Sequence, residues 1–294
     1  MTVEELIQAG GNWREPILHC GRCIDSRLPM NNAEYHAHAA VSKSHLDQIA
    51  KSPLHYWSRY LDPNREVPEP TAAMAIGSAV HTHVLELDQW DANYVVAPEG
   101  INKLTKAGKA EWEAFKAAAN GRTVLSRSDA DLVMRIGQAV LTHPAAAFLL
   151  SRPGKAETTH MWTDAETGLK CKCRPDWLTN DGDLVVDLKT TQDASPEEFA
   201  KSCAKFRYHV QSGFYCSGLH KANGVEPSEF IFIAVETKPP FGVAVYAASP
   251  EMKAAGRRRS QQDLAKLAEC KAANSWPSYS TDIQPLDLPK WIND

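Results

Sequence analysis

Read by its apolar and polar positions, the chain divides into a helix-patterned first half and a strand-patterned second half that closes with one long helix. Residues 1–40 show little periodicity and carry Gly10-Gly11 and Asn31-Asn32, so they read as a partly ordered arm. From Ser42 or Ser44, either a good N-cap, apolar residues at helical spacing run through Leu46, Ile49 and Ala50 toward Pro53. A second helix follows through Tyr56, Trp57 and Tyr60, and Pro63, Pro68 and Pro70 end the pattern. Met74, Ile76, Val80, Val84 and Leu87 predict a helix over 71–87, with Gly77 marking a place for another backbone to approach. After a short strand at Tyr94-Val95-Val96, helices are expected from Lys106 to Ala119 and from Ser126 or Ser128 to the stop at His143-Pro144.

The texture then changes to period two. Ala156 to Trp162 reads as a strand, Asp164 to Gly168 as a turn and Leu169 to Trp177 as the next strand. Alternation along that second strand places Lys170, Lys172, Arg174 and Asp176 on one face and Cys171 and Cys173 on the other. Asp176 therefore ends a basic row, which suits either incoming phosphates or a merely solvated face. Asn180-Asp181-Gly182 is a hairpin turn, and Leu184 to Thr191 is the strand that returns from it. Ser195-Pro196-Glu197-Glu198 opens a helix, and Phe206 to Lys221 forms another. Strands Phe230–Val235 and Val243–Tyr246 flank Pro239-Pro240, and a final helix runs from Pro250 to about Asn274 before a loop and a tail that reaches Trp291.

The hairpin gathers chemistry. It brings Asp176 and Asp187 to one end of a sheet, and Asp187 and Lys189 share a strand face about 7 Å apart while Val186 and Leu188 face the other way. An Asp and a Lys on one face of a Leu/Val strand are costly to bury unless something pairs with them. Mg²⁺, which prefers carboxylate, water and phosphate oxygens, would do so, and the lysine could hold an attacking water or a charged transition state. An isolated Asp-x-Lys is also what a surface hairpin with an ordinary ion pair would show. His81 and His83 lie in the helix over 71–87, where a histidine more often packs than ligates. Gln211 and Tyr215 lie one turn apart on a single helix face, an arrangement that a packed tyrosine would equally produce.

At 294 residues with 43% hydrophobic and 23% charged residues, the chain suits one large globular domain with helical additions. It has no apolar run able to span a bilayer and no secretory pattern at its N-terminus, so the expected location is the cytoplasm. Seven cysteines at irregular spacings fit reduced thiols, and Cys20-x-x-Cys23 with His19 is only half of a zinc site. The net charge of −4 does not exclude a polyanionic partner, because a local positive track suffices. Lys103, Lys106 and Lys109 at helical spacing and Arg257-Arg258-Arg259 are candidates for such a track or for solvated helix faces.

Taken in order, Gly77-x-x-x-His81, Glu157, Pro175-Asp176, Asp187-x-Lys189 and Gln211-x-x-x-Tyr215 resemble the motif set of the RecB-like branch of the PD-(D/E)xK nucleases. The strings Cys-Arg-Pro-Asp, Asp-Leu-Lys-Thr-Thr and Phe-Arg-Tyr-His-Val-Gln-x-x-x-Tyr, with Ser-Lys-Ser-x-Leu near the start, are most similar to the RecE-type (exonuclease VIII) exonucleases. The resemblance covers roughly residues 35–291; the first forty residues have no counterpart. It implies an α/β fold with a mixed central sheet flanked by helices: an arm over 1–40, then one exonuclease domain over 41–294. That domain divides into a helical part (41–150), a catalytic sheet core (151–250) and a C-terminal helix and tail (251–294). It also implies degradation of linear duplex DNA from its 5′ ends with Mg²⁺, or Mn²⁺ in its place, two ions per site. By the same resemblance Asp176, Asp187 and the Leu188 carbonyl bind metal, and His81 binds a second ion or orients the phosphate. Lys189 positions the water, Glu157 supports the metal or its water, and Gln211 with Tyr215 positions DNA or Lys189. The implied partners are duplex DNA ends, further copies of the chain in a ring (a tetramer, with a trimer as the alternative), and a RecT-type annealing protein of phage or prophage recombination. A RecB-like nuclease of other polarity, an endonuclease, and an inactive DNA-binding protein of the same fold are the alternatives.

Overall fold

The computed structural model describes residues 27–28, 30–66 and 71–288. Cys20, Cys23, Pro68, Pro70 and Trp291 lie outside the described residues. In chain order the elements are β1 (Arg27–Leu28), α1 (Asn32–Ala37), α2 (Lys43–Lys51), α3 (Pro53–Tyr60), α4 (Ala72–Leu85), α5 (Trp90–Asn93), β2 (Tyr94–Val96), α6 (Lys106–Ala119), β3 (Thr123–Leu125), α7 (Arg127–Thr142) and α8 (Pro144–Ser151). There follow β4 (Gly154–Ala156), β5 (Thr159–Thr163), β6 (Lys170–Cys173), β7 (Trp177–Thr179), β8 (Leu184–Thr191), α9 (Pro196–Lys205), α10 (Tyr208–Asn223), β9 (Glu229–Glu236), β10 (Val243–Ala247) and α11 (Pro250–Ala273). Side-chain caps fix several helix starts: Ser52, Thr71, Ser126 and Ser249 each accept from a backbone N–H three residues on, Ser126 being one of the two caps expected for its helix. No single helix among the described residues is long and apolar enough to cross a membrane.

A five-stranded mixed sheet, β10-β9-β8-β7-β4, forms the centre; β8 and β9 run parallel and the other pairs antiparallel. Strand alternation divides its apolar residues between two cores. Val185, Phe230, Phe232 and Ala234 face α2, α3, α9, α10 and α11, while Val186, Leu188, Ile231, Ile233 and Val235 face α4, α7 and α8. A second sheet, β1-β5-β6, lies beside it, and β2 and β3 form a parallel pair. α10 and α11 cross in backbone contact: a Cβ on Gly256 would stand 1.7 Å from the His209 carbonyl oxygen, and one on Gly213 2.3 Å from the Arg257 nitrogen. Only glycine permits that approach, and it fixes α10 against the domain.

Several expectations are corrected. The strand read over Leu169–Trp177 is two strands in two sheets: β6 ends at Cys173, and the chain crosses at 174–176 into β7. The strand read over Ala156–Trp162 is likewise divided, and Glu157 sits at the crossing with a left-handed backbone (φ +48°) rather than in a strand. The two crossings touch, since the Glu157 N–H donates to the Asp176 carbonyl oxygen at 3.2 Å. The basic row does not face solvent. Lys170 is exposed, but Lys172 and Arg174 are buried, each with its cation 4.4 Å from the Tyr35 ring. Lys172 Nζ donates to the carbonyls of Tyr35 and His38, and Arg174 donates to Thr159 Oγ1 and to the Met30 carbonyl. Carbonyls and an aromatic face thus satisfy these cations, and the row clamps the segment around Tyr35 onto the core. A Cβ on Gly77 would meet a side chain, Thr190 Oγ1 at 3.4 Å, and no backbone of another element among the described residues. The helix read from Phe206 begins at Tyr208, because Arg207 takes a left-handed conformation (φ +57°).

Candidate active site

The hairpin register fixes the two aspartates. Trp177 pairs with Val186 across β7 and β8, so Asp176, one residue earlier, comes level with Asp187. The Leu188 N–H donates to Asp176 Oδ2 at 2.8 Å, and His81 Nε2 lies 3.0 Å from the same oxygen. His81 Nδ1 lies 2.9 Å from the Gly77 carbonyl oxygen, one helical turn back. Both ring nitrogens therefore face acceptors, a demand that only imidazolium satisfies in full. Burial pushes His81 down, but the Asp176 carboxylate outweighs it and holds the ring up at about 9. Asp176 itself is opposed by burial but held below the usual carboxylate range by His81, with Lys189 and the Leu188 amide adding to the effect.

Asp187 is fully buried and points into the face that carries Val185 and Phe232. Its Oδ1 accepts from Gln211 Nε2 at 2.5 Å, and Lys189 Nζ pairs with its Oδ2 at 2.5 Å. Burial pushes Asp187 up to about 6; Lys189 opposes this and the Asp176 charge adds to it. Burial works against the Lys189 ammonium, but Asp187 and Asp176 hold it well above its ordinary range. Glu157 is pushed up to about 8, by burial first and then by Asp176. It opens with His81 onto a cavity of about 840 Å³ bordered by Glu86, Tyr94, Arg122 and Arg174.

The fold thus brings together His81, Glu157, Asp176, Asp187, Leu188, Lys189 and Gln211 from α4, the β4–β5 crossing, the β6–β7 crossing, β8 and α10. Tyr215 is on the same helix as Gln211 but buried in the apolar core, its ring T-shaped against Phe230 at 6.3 Å. His83 packs edge-on to Trp90 at 5.7 Å. Lys103 lies 3.3 Å over the Trp112 ring, Arg257 pairs with Glu226, and Arg259 lies 4.0 Å from Asp263. Two further residues stand beside Lys189: the Lys189 and Lys43 ammonium groups share the Tyr208 ring, with Lys189 Nζ 4.9 Å and Lys43 Nζ 5.9 Å from its centroid. Tyr208 and Lys43 fall within the RecE-like strings of the sequence, which gave neither of them a role.

Among the described residues no three His, Cys, Asp or Glu side chains gather closely enough to enclose a metal by themselves. The donor set nonetheless fits a hard divalent cation that keeps water or substrate oxygens as its other ligands. Glu157, Asp176 and Asp187 supply carboxyl oxygens beside His81 and Lys189, and burial with the Asp176 charge pushes Glu157 up. A divalent cation would take the place of the proton that this crowding of carboxyl groups favours on Glu157.

Such a mixed sheet, with Pro175-Asp176 at one crossing and Asp187 and Lys189 on the adjoining strand, defines a PD-(D/E)xK-type domain. Residues 42–289 match the family described as "PDDEXK-like domain of unknown function (DUF3799)", and the chain belongs to that family. Its fold is similar to the crystal structure of a candidate exonuclease from Eubacterium rectale, with a TM-score of 0.59 at 12% identity over 88% of this chain and 97% of that one. A phage-related exonuclease from Haemophilus somnus 129PT aligns with a TM-score of 0.31 at 14% identity, over 82% of this chain and 99% of that one. No curated protein matches the chain.

Proposed function

We propose that the protein is a Mg²⁺-dependent 5′-to-3′ exodeoxyribonuclease that degrades linear duplex DNA and leaves 3′ single strands. The observation that carries this reading is the convergence of Asp176, Asp187 and Lys189, with the Lys189 ammonium 2.5 Å from Asp187. Asp176 and Asp187, with the Leu188 carbonyl, would hold the metal, and Glu157 would support it or its water. Bound divalent ions, Mg²⁺ or Mn²⁺ and two per site, supply an acidified water and neutralise charge on the phosphodiester and the departing oxygen.

The chain's own groups supply orientation and charge. Lys189 holds the attacking water and counters the charge that builds on phosphorus. Its amine is tethered by Asp187, and Gln211 fixes Asp187 in turn. His81 is anchored through Nδ1 to the Gly77 carbonyl, and its Nε2, 3.0 Å from Asp176 Oδ2, would turn to a phosphate oxygen or, deprotonated, to a second ion once a cation engages Asp176. Attack in line forms the new P–O bond and breaks the bond to the 3′ oxygen, which leaves with a proton from solvent. Tyr215 acts through α10, which carries Gln211.

The resemblance to RecE-type exonucleases supports a ring of copies, a tetramer with a trimer as the alternative, around the DNA. It also supports a cytoplasmic role in phage-type recombination with a RecT-type annealing partner. The test is digestion of end-labelled linear duplex with Mg²⁺ beside a covalently closed circle. The expected products are nucleotides released from 5′ ends while the circle stays intact. Cutting of the circle at a similar rate overturns the exonuclease reading, and release from 3′ ends overturns the polarity.

A further inference from the structure

Lys189 is the most mobile kind of side chain asked to do the most exact work in this site: an ammonium on a four-carbon stem. Asp187 holds it from one side at 2.5 Å. That tether weakens when Asp187 shares its charge with another cation, because the attraction between the pair scales with the charge left on the carboxylate. At that stage something else must keep the amine from turning out to water. Tyr208 is placed to do so. It is the first residue of α10, and its ring centroid lies 4.9 Å from Lys189 Nζ.

The ring is itself held. It stacks on Phe206 at 5.7 Å with an interplanar angle of 28°, and meets Phe232 at 5.9 Å and Phe199 at 6.1 Å. Phe232 is the β9 residue paired in register with Asp187, so the ring and the carboxylate are referenced to the same strand pair. A second ammonium closes one line of escape: Lys43 Nζ, bound to Asp47 at 2.7 Å and to the Phe206 carbonyl at 2.6 Å, lies 5.9 Å from the same ring and repels Lys189 from its own position.

We propose that Tyr208 is a positioning residue for Lys189. Its ring face gives the ammonium a second seat, one whose attraction does not depend on the charge of Asp187. This inference rests on the nuclease reading for its effect on turnover, but not for its effect on Lys189 itself. The phenol hydroxyl has no part in it. Tyr208→Phe keeps the seat, and Tyr208→Leu keeps much of the bulk while removing the ring's charge distribution.

Two measurements test the proposal on the full chain. In linear-duplex digestion with Mg²⁺, Tyr208→Leu lowers kcat about tenfold with KM within about twofold of the parent, and Tyr208→Phe stays within about twofold in both, a tenfold change being about 1.4 kcal/mol of barrier. In metal-free protein, acylation of Lys189 by an N-hydroxysuccinimide ester, read by peptide mass spectrometry, speeds up about fivefold in Tyr208→Leu and about twofold or less in Tyr208→Phe, as expected when one cover of the amine is lost. If Tyr208→Leu fails to fold, a fluorinated phenylalanine at position 208, of similar shape but weaker ring-face charge, gives the same ordering. An unchanged kcat with unchanged Lys189 acylation in the ring-deficient variant overturns the proposal, as does an equal loss in Tyr208→Phe. A parent protein that degrades no DNA, with the acylation difference intact, overturns the nuclease reading and leaves the positioning role supported.

Discussion

Gln211 on α10 donates a 2.5 Å hydrogen bond to Asp187 on β8, and so a helix that follows the strand by two elements sets the orientation of the strand's buried carboxylate. Partners that orient metal-binding groups typically contribute 10- to 100-fold in affinity or activity. Gln211→Ala should lower kcat by about that range, roughly 10- to 100-fold. Gln211→Glu should lower it further by setting a like charge against Asp187. Steady-state digestion of linear duplex, with circular dichroism to confirm the fold, checks both.

Lys189→Ala and Asp187→Ala should each abolish Mg²⁺-dependent hydrolysis while the domain stays folded, since the apolar residues of both faces of the sheet remain in place. Asp187→Asn should do the same and keeps the Gln211 contact. Nuclease assays paired with far-ultraviolet spectra decide this. A purified Asp187→Ala protein with full activity would refute the site.

The close crossing of α10 and α11 carries a stability prediction. Gly256→Ala would force a Cβ to within 1.7 Å of the His209 carbonyl oxygen unless the helices part. A cost of about 1–3 kcal/mol or more is expected for overpacking of this kind. Because α10 also carries Tyr208 and Gln211, activity should fall with stability. Thermal unfolding followed by residual nuclease activity below the midpoint measures both.

Asp164 gives the pH dependence. Its carboxylate is buried in the turn before β6, where burial alone would raise it, but hydrogen bonds from Lys221 (2.8 Å), Thr167 (2.8 Å) and Gln261 (3.2 Å) hold it down at about 2 against 3.8 for the free group. A folded-state value below the unfolded one means the stabilisation is complete above about pH 4 and is lost as pH falls toward 2. Asp164→Asn should therefore cost about 2 kcal/mol at neutral pH and almost nothing near pH 2. Denaturant melts at the two pH values supply the comparison.

Much of this molecule was legible in one dimension. Short-range rules set the helices: the N-caps at Ser42 and Ser126 and the turn at Asn180-Asp181-Gly182 act within a few residues, and all stand where the pattern put them. The pairing of Asp187 with Lys189 was equally local, because strand alternation alone places them on one face. The ordered spacing from Gly77 to Tyr215 carried the family.

What the sequence could not decide was which sheet each β-run joins. The runs over 156–162 and 169–177 read as continuous strands, because alternation is indifferent to a change of hydrogen-bonding partner. Only the packed domain shows both breaking at one place, which turns Glu157 toward His81 and sets Asp176 opposite Asp187. The same holds for Lys172 and Arg174, whose period placed them in a row open to phosphates or to solvent and whose partners, Tyr35 and the carbonyls around it, lie more than 130 residues away. Local propensity and periodicity therefore determined the elements and the Asp-x-Lys face. The choice of sheet, the burial of the basic row and the ring beneath Lys189 depended on contacts between distant segments, which no window of neighbouring residues encodes.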